Sequence, residues 1–130
     1  MRKIIGIASI LLILSGGAMA REARLSPAFS SCMDKSDGVT TSMIDCIGVE
    51  HKRQDARLNK AYKVLLSAQT PARKKELQDV QRLWLKYRDA NCAFYYDPDG
   101  GSMARLNANS CMMDMTAERA LELENMREPQ

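Results

Sequence analysis

The stretch that decides the fold spans residues 81–92 and reads QRLWLKYRDANC. It holds the only tryptophan of the chain, Trp84, several cations, and a cysteine at its end. At helical spacing Trp84 and Tyr87 share one face with apolar residues before them, whereas Arg82 and Lys86 point elsewhere. The stretch therefore predicts a helix with a buried aromatic face, a charged outer surface and a covalent tie, as in a small exported helical protein.

A second helical pattern precedes this stretch. Apolar residues from about Ser42 to about Ala68 recur at helical spacing, and no strand-like alternation persists there. Thr40, Thr41 or Ser42 is expected to cap the start of this helix. Its middle, residues 50–57, is highly polar, and we expect it to be exposed on most sides.

The helix that carries Trp84 is expected to begin at residues 70–71, where Thr70 acts as N-cap, and to end near Tyr95. Its predicted inward stripe contains Leu77, Val80, Trp84, Tyr87 and Asn91, and Leu83 is expected to widen it. Ser102 is expected to cap a last helix, which a break near Cys111 would divide in two. The sequence thus predicts an all-α fold of three main antiparallel helices with short connections, preceded by a short helix around residue 32.

The first twenty residues have the features of a signal peptide. A positive start at residues 1–3 precedes an apolar run from Ile4 to Leu14, and residues 18–20 supply a small-x-small cleavage pattern. The run is short for a membrane span, although a buried helix or an anchor is the alternative. We predict cleavage near Ala20, a single domain over residues 21–130 without a membrane span, and a location in the periplasm or outside the cell.

Charge is distributed unevenly along the chain. Loss of Arg2 and Lys3 with the signal peptide lowers the formal net charge from +3 to +1, which is not the balance of a nucleic-acid-binding protein. Residues 50–89 hold eleven Lys/Arg against five Asp/Glu, and residues 90–130 hold three against seven. We expect the two segments to pack side by side and attract each other, with a dedicated polyanion site as the alternative.

Four cysteines remain after the predicted cleavage, and an even number in a small exported domain indicates disulfide bonds. Three pairings are possible. We favour Cys32 with Cys46 and Cys92 with Cys111, because each pair flanks a turn and closes a short loop. A zinc site is poorly supported, because the chain has no Cys-x-x-Cys pair and its one histidine, His51, is not at zinc-finger spacing.

An ordered set of short sequence pieces is typical of one family. The pieces are MIDC at 43–46, DARLNKAY at 55–62, QRLW at 81–84, YRDANC at 87–92, GGS at 100–102, and TAER at 116–119. In this set the chain resembles the LprI-type family of small exported bacterial proteins, named for a mycobacterial lysozyme inhibitor. The resemblance implies an α-helical, disulfide-bonded extracytoplasmic domain that inhibits lysozyme. The founding member is a lipoprotein, and this chain lacks the cysteine that would be lipidated.

Structural roles are expected for the motif residues, which are Leu58, Asn59, Tyr62, Gln81, Trp84, Tyr87, Arg88 and Asp89. We expect Arg88 to pair with a carboxylate of another helix, Asn59 to satisfy polar groups between helices, and Trp84 and Tyr87 to lie in the core. We predict that the protein is not an enzyme and uses no metal or cofactor. It has one histidine and no recognisable nucleophile–base pair.

Two surfaces are candidates for binding a partner protein. The candidate residues are Tyr95, Tyr96, Gly100, Gly101 and Ser102 in the turn after the second long helix, and Arg82 and Lys86 on the basic outer face. An inhibitor must occlude the lysozyme cleft, which holds two catalytic carboxylates, and a tyrosine anchor or cationic donors would serve. Lysozyme is itself basic, so the acidic last third offers a third means of attraction. The alternative function is an interaction or envelope-stress module without lysozyme inhibition.

Overall fold

The computed structural model describes residues 24–126, which form four α-helices without any strand. The helices are α1 (Pro27–Lys35), α2 (Thr40–Ser67), α3 (Pro71–Phe94) and α4 (Gly101–Asn125). The all-α prediction of three long helices is confirmed, with α1 as the short helix before them. The predicted signal peptide, residues 1–20, lies outside the described residues. Within residues 24–126 no helix combines the length and the apolar character that crossing a membrane requires.

The start of α3 follows from its local sequence, whereas the starts of α2 and α4 do not. Thr70 caps α3 through its hydroxyl and Pro71 occupies the first turn, as expected. α2 and α4 begin at Thr40 and Gly101, earlier than predicted, so the hydroxyl residues expected as caps lie inside the first turn. No side chain caps either helix. α4 runs unbroken through residue 111.

α2 and α4 pack along each other and form the core. Its apolar centre contains Leu58, Ala61, Leu65, Ala120 and Leu123, with Tyr62, Leu77 and Trp84 packed against it. Arg57 of α2 bonds Glu124 of α4, and His51 lies beside Thr116. Because both contact partners advance together along the chain, α2 and α4 run in the same direction.

α3 lies against α4 and barely touches α2. Its buried residues are Gln81, Arg88 and Cys92, which face α4 in antiparallel order. The predicted inward stripe is therefore wrong for Val80, Leu83 and Tyr87, which are 49%, 66% and 61% exposed. The physical reason is that α4 presents an arginine and a threonine to α3, so polar side chains of α3 turn inward and meet them.

Two disulfide bonds fasten neighbouring helices. Cys32–Cys46 joins α1 to α2 with a Cα–Cα distance of 5.7 Å, and Cys92–Cys111 joins α3 to α4 at 5.4 Å. Cys92 and Cys46 are buried. Both bonds therefore act as interior links between helices, and the second one fixes the end of α3 beside α4.

The polar middle of α2 is buried on one side, and its other sides are exposed or half-exposed. Glu50 is completely buried and Gln54 nearly so, because the segment before α1 covers them. Glu50 accepts hydrogen bonds from the backbone N–H and the hydroxyl of Ser26, at 2.8 and 2.6 Å. Gln54 donates to the carbonyl oxygen of Arg24 at 3.0 Å. These hydrogen bonds from the segment before α1 offset the free-energy cost of burying the polar groups.

Candidate protein-binding surface

Three exposed aromatic side chains follow one another where α3 ends and the turn to α4, residues 95–100, begins. Phe94 is 88% exposed, and Tyr95 and Tyr96 are each about half exposed. Met103 of α4 is exposed beside them. Exposed aromatic side chains grouped on one rigid feature are typical of a binding surface. The sequence prediction included both tyrosines but missed Phe94, although the run of three aromatic residues signals it.

The backbone of this turn is fixed by short-range contacts. The Asp97 carboxylate accepts the backbone N–H of Asp99 at 2.9 Å, and the Asp97 carbonyl accepts the N–H of Gly100 at 3.0 Å. A Cβ at Gly100 would lie 2.7 Å from the Cβ of Ala104, and Gly101 has a φ of 61°. Both positions therefore require glycine, and with the Cys92–Cys111 bond they hold the turn in one shape.

The first turn of α4 faces outward beside the tyrosines. Gly100 is its N-cap, no side chain caps the helix, and Gly101 and Ser102 are exposed. The first N–H groups of a helix have no partner within the helix, and they carry the positive end of the helix dipole. The turn thus combines aromatic side chains with a set of backbone donors that suits a carboxylate.

The second candidate surface, around Arg82 and Lys86, is partly neutralised. Arg82 donates to the Gln78 carbonyl at 3.3 Å and to the Asp79 carboxylate at 3.2 Å. Asp79 also accepts from Lys75 at 2.8 Å, and that hydrogen bond lowers the pKa of Asp79. Lys86 is exposed and has no ion pair within residues 24–126. This basic face therefore lies in the middle of α3, apart from the aromatic turn.

Arg88 has a different partner from the one predicted. It bonds the carboxylate of Asp89, its own neighbour, at 2.8 and 3.0 Å, and it donates to the Thr116 hydroxyl of α4 at 3.2 Å. The prediction of a carboxylate partner from another helix is wrong, because α4 presents the Thr116 hydroxyl to Arg88. Trp84 lies next to Arg88, with the guanidinium carbon 5.2 Å from the ring centroid.

Arg119 of α4 completes this cluster and was not predicted. It is 6% exposed, donates to the Gln81 side chain at 3.1 Å and to Glu122 at 2.7 Å, and lies 5.7 Å from the Trp84 ring centroid. Its position in the TAER motif, residues 116–119, is the sequence feature that could have indicated its role. Asn59 does not join the cluster. It is exposed and bonds Asp55 of its own helix at 3.2 Å, so the prediction of a role between helices is wrong.

His51 is half-buried against the same cluster. Its Nε2 lies 3.4 Å from the Thr116 hydroxyl, which donates to the Met112 carbonyl and is fully buried. Burial, and secondarily the Arg88 charge, lower the pKa of His51, so the ring is neutral near pH 7. No group of three His, Cys, Asp or Glu side chains suited to a metal occurs among the described residues. The cluster therefore has the character of a structural contact between three helices.

The described residues form a small helical domain that is linked by two disulfides and carries exposed aromatic side chains where α3 ends. The family model described as "Lysozyme inhibitor LprI" matches residues 32–123, and the chain belongs to this family. An uncharacterized protein of Rhizobium meliloti (strain 1021) is 31% identical over 98 residues, which cover 64% of this chain and 70% of that protein. No solved structure matches the chain.

Proposed function

We propose that this protein is an exported inhibitor of lysozyme that acts by binding, with the turn between α3 and α4 entering and occluding the lysozyme cleft. One observation carries the proposal. In a chain of the lysozyme-inhibitor family, Tyr95, Tyr96 and the uncapped start of α4 form one exposed, rigid surface. The predicted signal peptide is in keeping with action outside the cytoplasm.

The chemistry of the turn fits the chemistry of the target. A lysozyme cleft presents two carboxylates, one kept as an acid and one ionised. The first N–H groups of α4, at Gly101 and Ser102, are donors suited to an ionised carboxylate. Tyr95 and Tyr96 supply large contact areas with few rotatable bonds, which is why tyrosine anchors dominate many interfaces. Rigidity of the turn lowers the entropy lost on binding.

Charge favours the encounter. Residues 90–130 hold seven Asp/Glu against three Lys/Arg, and the turn itself contains Asp97 and Asp99. A basic lysozyme is attracted to this part of the surface, which raises the association rate more than the final affinity. We therefore assign steering to the acidic residues, and anchoring to the tyrosines and the α4 N-terminus.

Residual activity of purified c-type and g-type lysozymes tests the proposal. The protein is produced with its full leader, exported, and isolated with both disulfides intact. We expect inhibition of at least one lysozyme type that saturates near one molecule of inhibitor per molecule of enzyme. Absence of inhibition at a large molar excess, with the helical content verified by circular dichroism, would refute the proposal.

A pair of variants tests which surface binds. Tyr95→Ala/Tyr96→Ala is expected to weaken inhibition by about 100-fold or more, because two anchors are lost at the centre of the contact. Arg82→Ala/Lys86→Ala changes two exposed side chains in the middle of α3. This variant is expected to change the strength of inhibition by about threefold or less. The opposite ranking would move the lysozyme contact to the basic face.

A further inference from the structure

α3 carries a stripe of exposed apolar side chains beside its contact with α4. The stripe consists of Val80, Leu83, Tyr87 and Phe94, and Leu83 is 66% exposed. The intervals of three, four and seven residues place all four side chains on one face of the helix. Leu83 and Phe94 lie on the side of α3 opposite its buried residues, whereas Val80 and Tyr87 border grooves that residues of α4 also line.

Part of this stripe is symmetric about Tyr87, since Val80 and Phe94 each lie seven residues from it. Asn91, which is related to Leu83 in the same way, instead donates to Cys111 and Met115 of α4. In an antiparallel pair of identical helices with a twofold axis at Tyr87, Val80 of one copy meets Phe94 of the other. The two Tyr87 side chains meet at the axis. A twofold interface requires such self-complementarity, because every contact between two residues is repeated on the other side of the axis.

The charges at the two ends of α3 favour the same arrangement. The first turn of α3 is basic, with Arg73, Lys74 and Lys75, and the turn that follows the helix is acidic, with Asp97 and Asp99. An antiparallel pair brings each basic end near the acidic end of the other copy, whereas a parallel pair brings like charges together. Arg73 and Lys75 bond Glu76 and Asp79 within α3, but exposed pairs of this kind are weak and exchange partners easily.

From the exposed stripe, the matching positions of Val80 and Phe94 about Tyr87, and the opposed end charges, we infer that the protein forms a homodimer through antiparallel contact of two α3 helices. The contact area is set by the outward face of one helix of 24 residues, about 36 Å long. An interface of this kind lies at the small end of specific interfaces, and we expect a dissociation constant on the order of micromolar. This inference does not depend on lysozyme binding.

Sedimentation velocity of the exported, oxidised protein from about 1 µM to about 500 µM tests the dimer. The wild type is expected to shift from monomer to dimer over this range. Leu83→Asp places a charge in the interface, one helical turn from the twofold axis, and is expected to raise the dissociation constant by about tenfold or more. Val49→Asp is the matched control, because Val49 is 59% exposed but lies on α2. A wild type that stays monomeric, or equal effects of the two variants, would overturn the inference.

Charge reversal tests the antiparallel direction without touching the apolar stripe. Variant one is Arg73→Glu/Lys75→Glu, and variant two is Asp97→Lys/Asp99→Lys. Each alone places like charges at both ends of the interface and is expected to weaken the dimer by about tenfold. An equimolar mixture of the two variants restores opposite charges at both ends and is expected to form heterodimers. If the mixture dimerises no better than either variant alone, the antiparallel contact is wrong. Circular dichroism verifies that each variant is folded.

Discussion

Trp84 lies beside two guanidinium groups, and these contacts join α3 to α4 in addition to the apolar packing of Trp84 on the core. Arg88 and Arg119 both approach the ring, and each also has a hydrogen-bonded side chain across the helix boundary. Cation–π contacts of desolvated arginines are stronger than those at the surface. The single tryptophan thus makes a polar interface between two helices stable.

Replacing Arg119 tests this account at the level of one residue. Arg119→Ala leaves the buried Gln81 carbonyl oxygen without its donor and removes one cation from Trp84, so we expect a loss of about 2–3 kcal/mol in the free energy of unfolding. Arg82→Ala on the exposed side of α3 is the control, with an expected loss below about 0.5 kcal/mol. Urea unfolding measures both. Equal losses would mean that the arginine–tryptophan contact contributes little.

Glu50 determines how the segment before α1 is held. Burial raises its pKa, but hydrogen bonds from Ser26, Gln54 and Arg53 outweigh burial, and the pKa lies below the ordinary value of 4.5. The unfolded chain therefore binds the proton first as the pH falls, so the stabilisation is present above pH 4.5 and is lost on acidification.

The variant Glu50→Gln is expected to be less stable than the wild type by about 1–3 kcal/mol at pH 7, because charged hydrogen bonds are replaced by neutral ones. The difference is expected to shrink as the pH falls below 4.5, because the unfolded wild-type chain takes up the proton first and the folded carboxylate does so only at lower pH. Urea unfolding at several pH values measures it. A difference that stays constant down to acidic pH would contradict the assigned ionisation.

At the level of elements, α3 shows which part of the fold the sequence determines. Its start and end follow from Thr70, Pro71 and the Asp-Pro-Asp-Gly-Gly turn, because capping and turn chemistry are local. Its buried face does not follow, because apolar periodicity selects Val80 and Tyr87, whereas the face of α4 that it meets is polar. The orientation of a helix depends on its neighbour, and a single sequence does not show which residues that neighbour presents.

The two disulfides are expected to have separable roles. Removing either by paired Cys→Ala replacement should cost about 3 kcal/mol, because the closed loops span 19 and 14 residues. Only loss of Cys92–Cys111, which holds the end of α3 beside α4, is expected also to weaken lysozyme inhibition by the folded protein. Inhibition assays at a temperature where both variants are folded measure this. Equal inhibition by the two variants would show that the Cys92–Cys111 bond does not support the inhibitory turn.

For the whole molecule, the uneven charge of the sequence is only partly neutralised by packing. Arg57 of α2 pairs with Glu124 of α4 as the side-by-side prediction requires, whereas Arg73, Lys75 and Arg82 pair within α3. The outer face of α3 and the turn after it therefore keep opposite charges at opposite ends. The fold class, the family and the position of Tyr95 and Tyr96 in the turn were predictable from the sequence. The exposed stripe of α3 was not, because it depends on which face α4 covers.

Amide hydrogen exchange of the protein with and without an inhibited lysozyme tests the central claim most directly. The account predicts slower exchange in residues 95–103, where the turn and the first turn of α4 would be buried by the enzyme, and little change in residues 42–50 of α2. Slower exchange confined to other segments, or no change when lysozyme is inhibited, would contradict the assignment of this turn as the inhibitory surface.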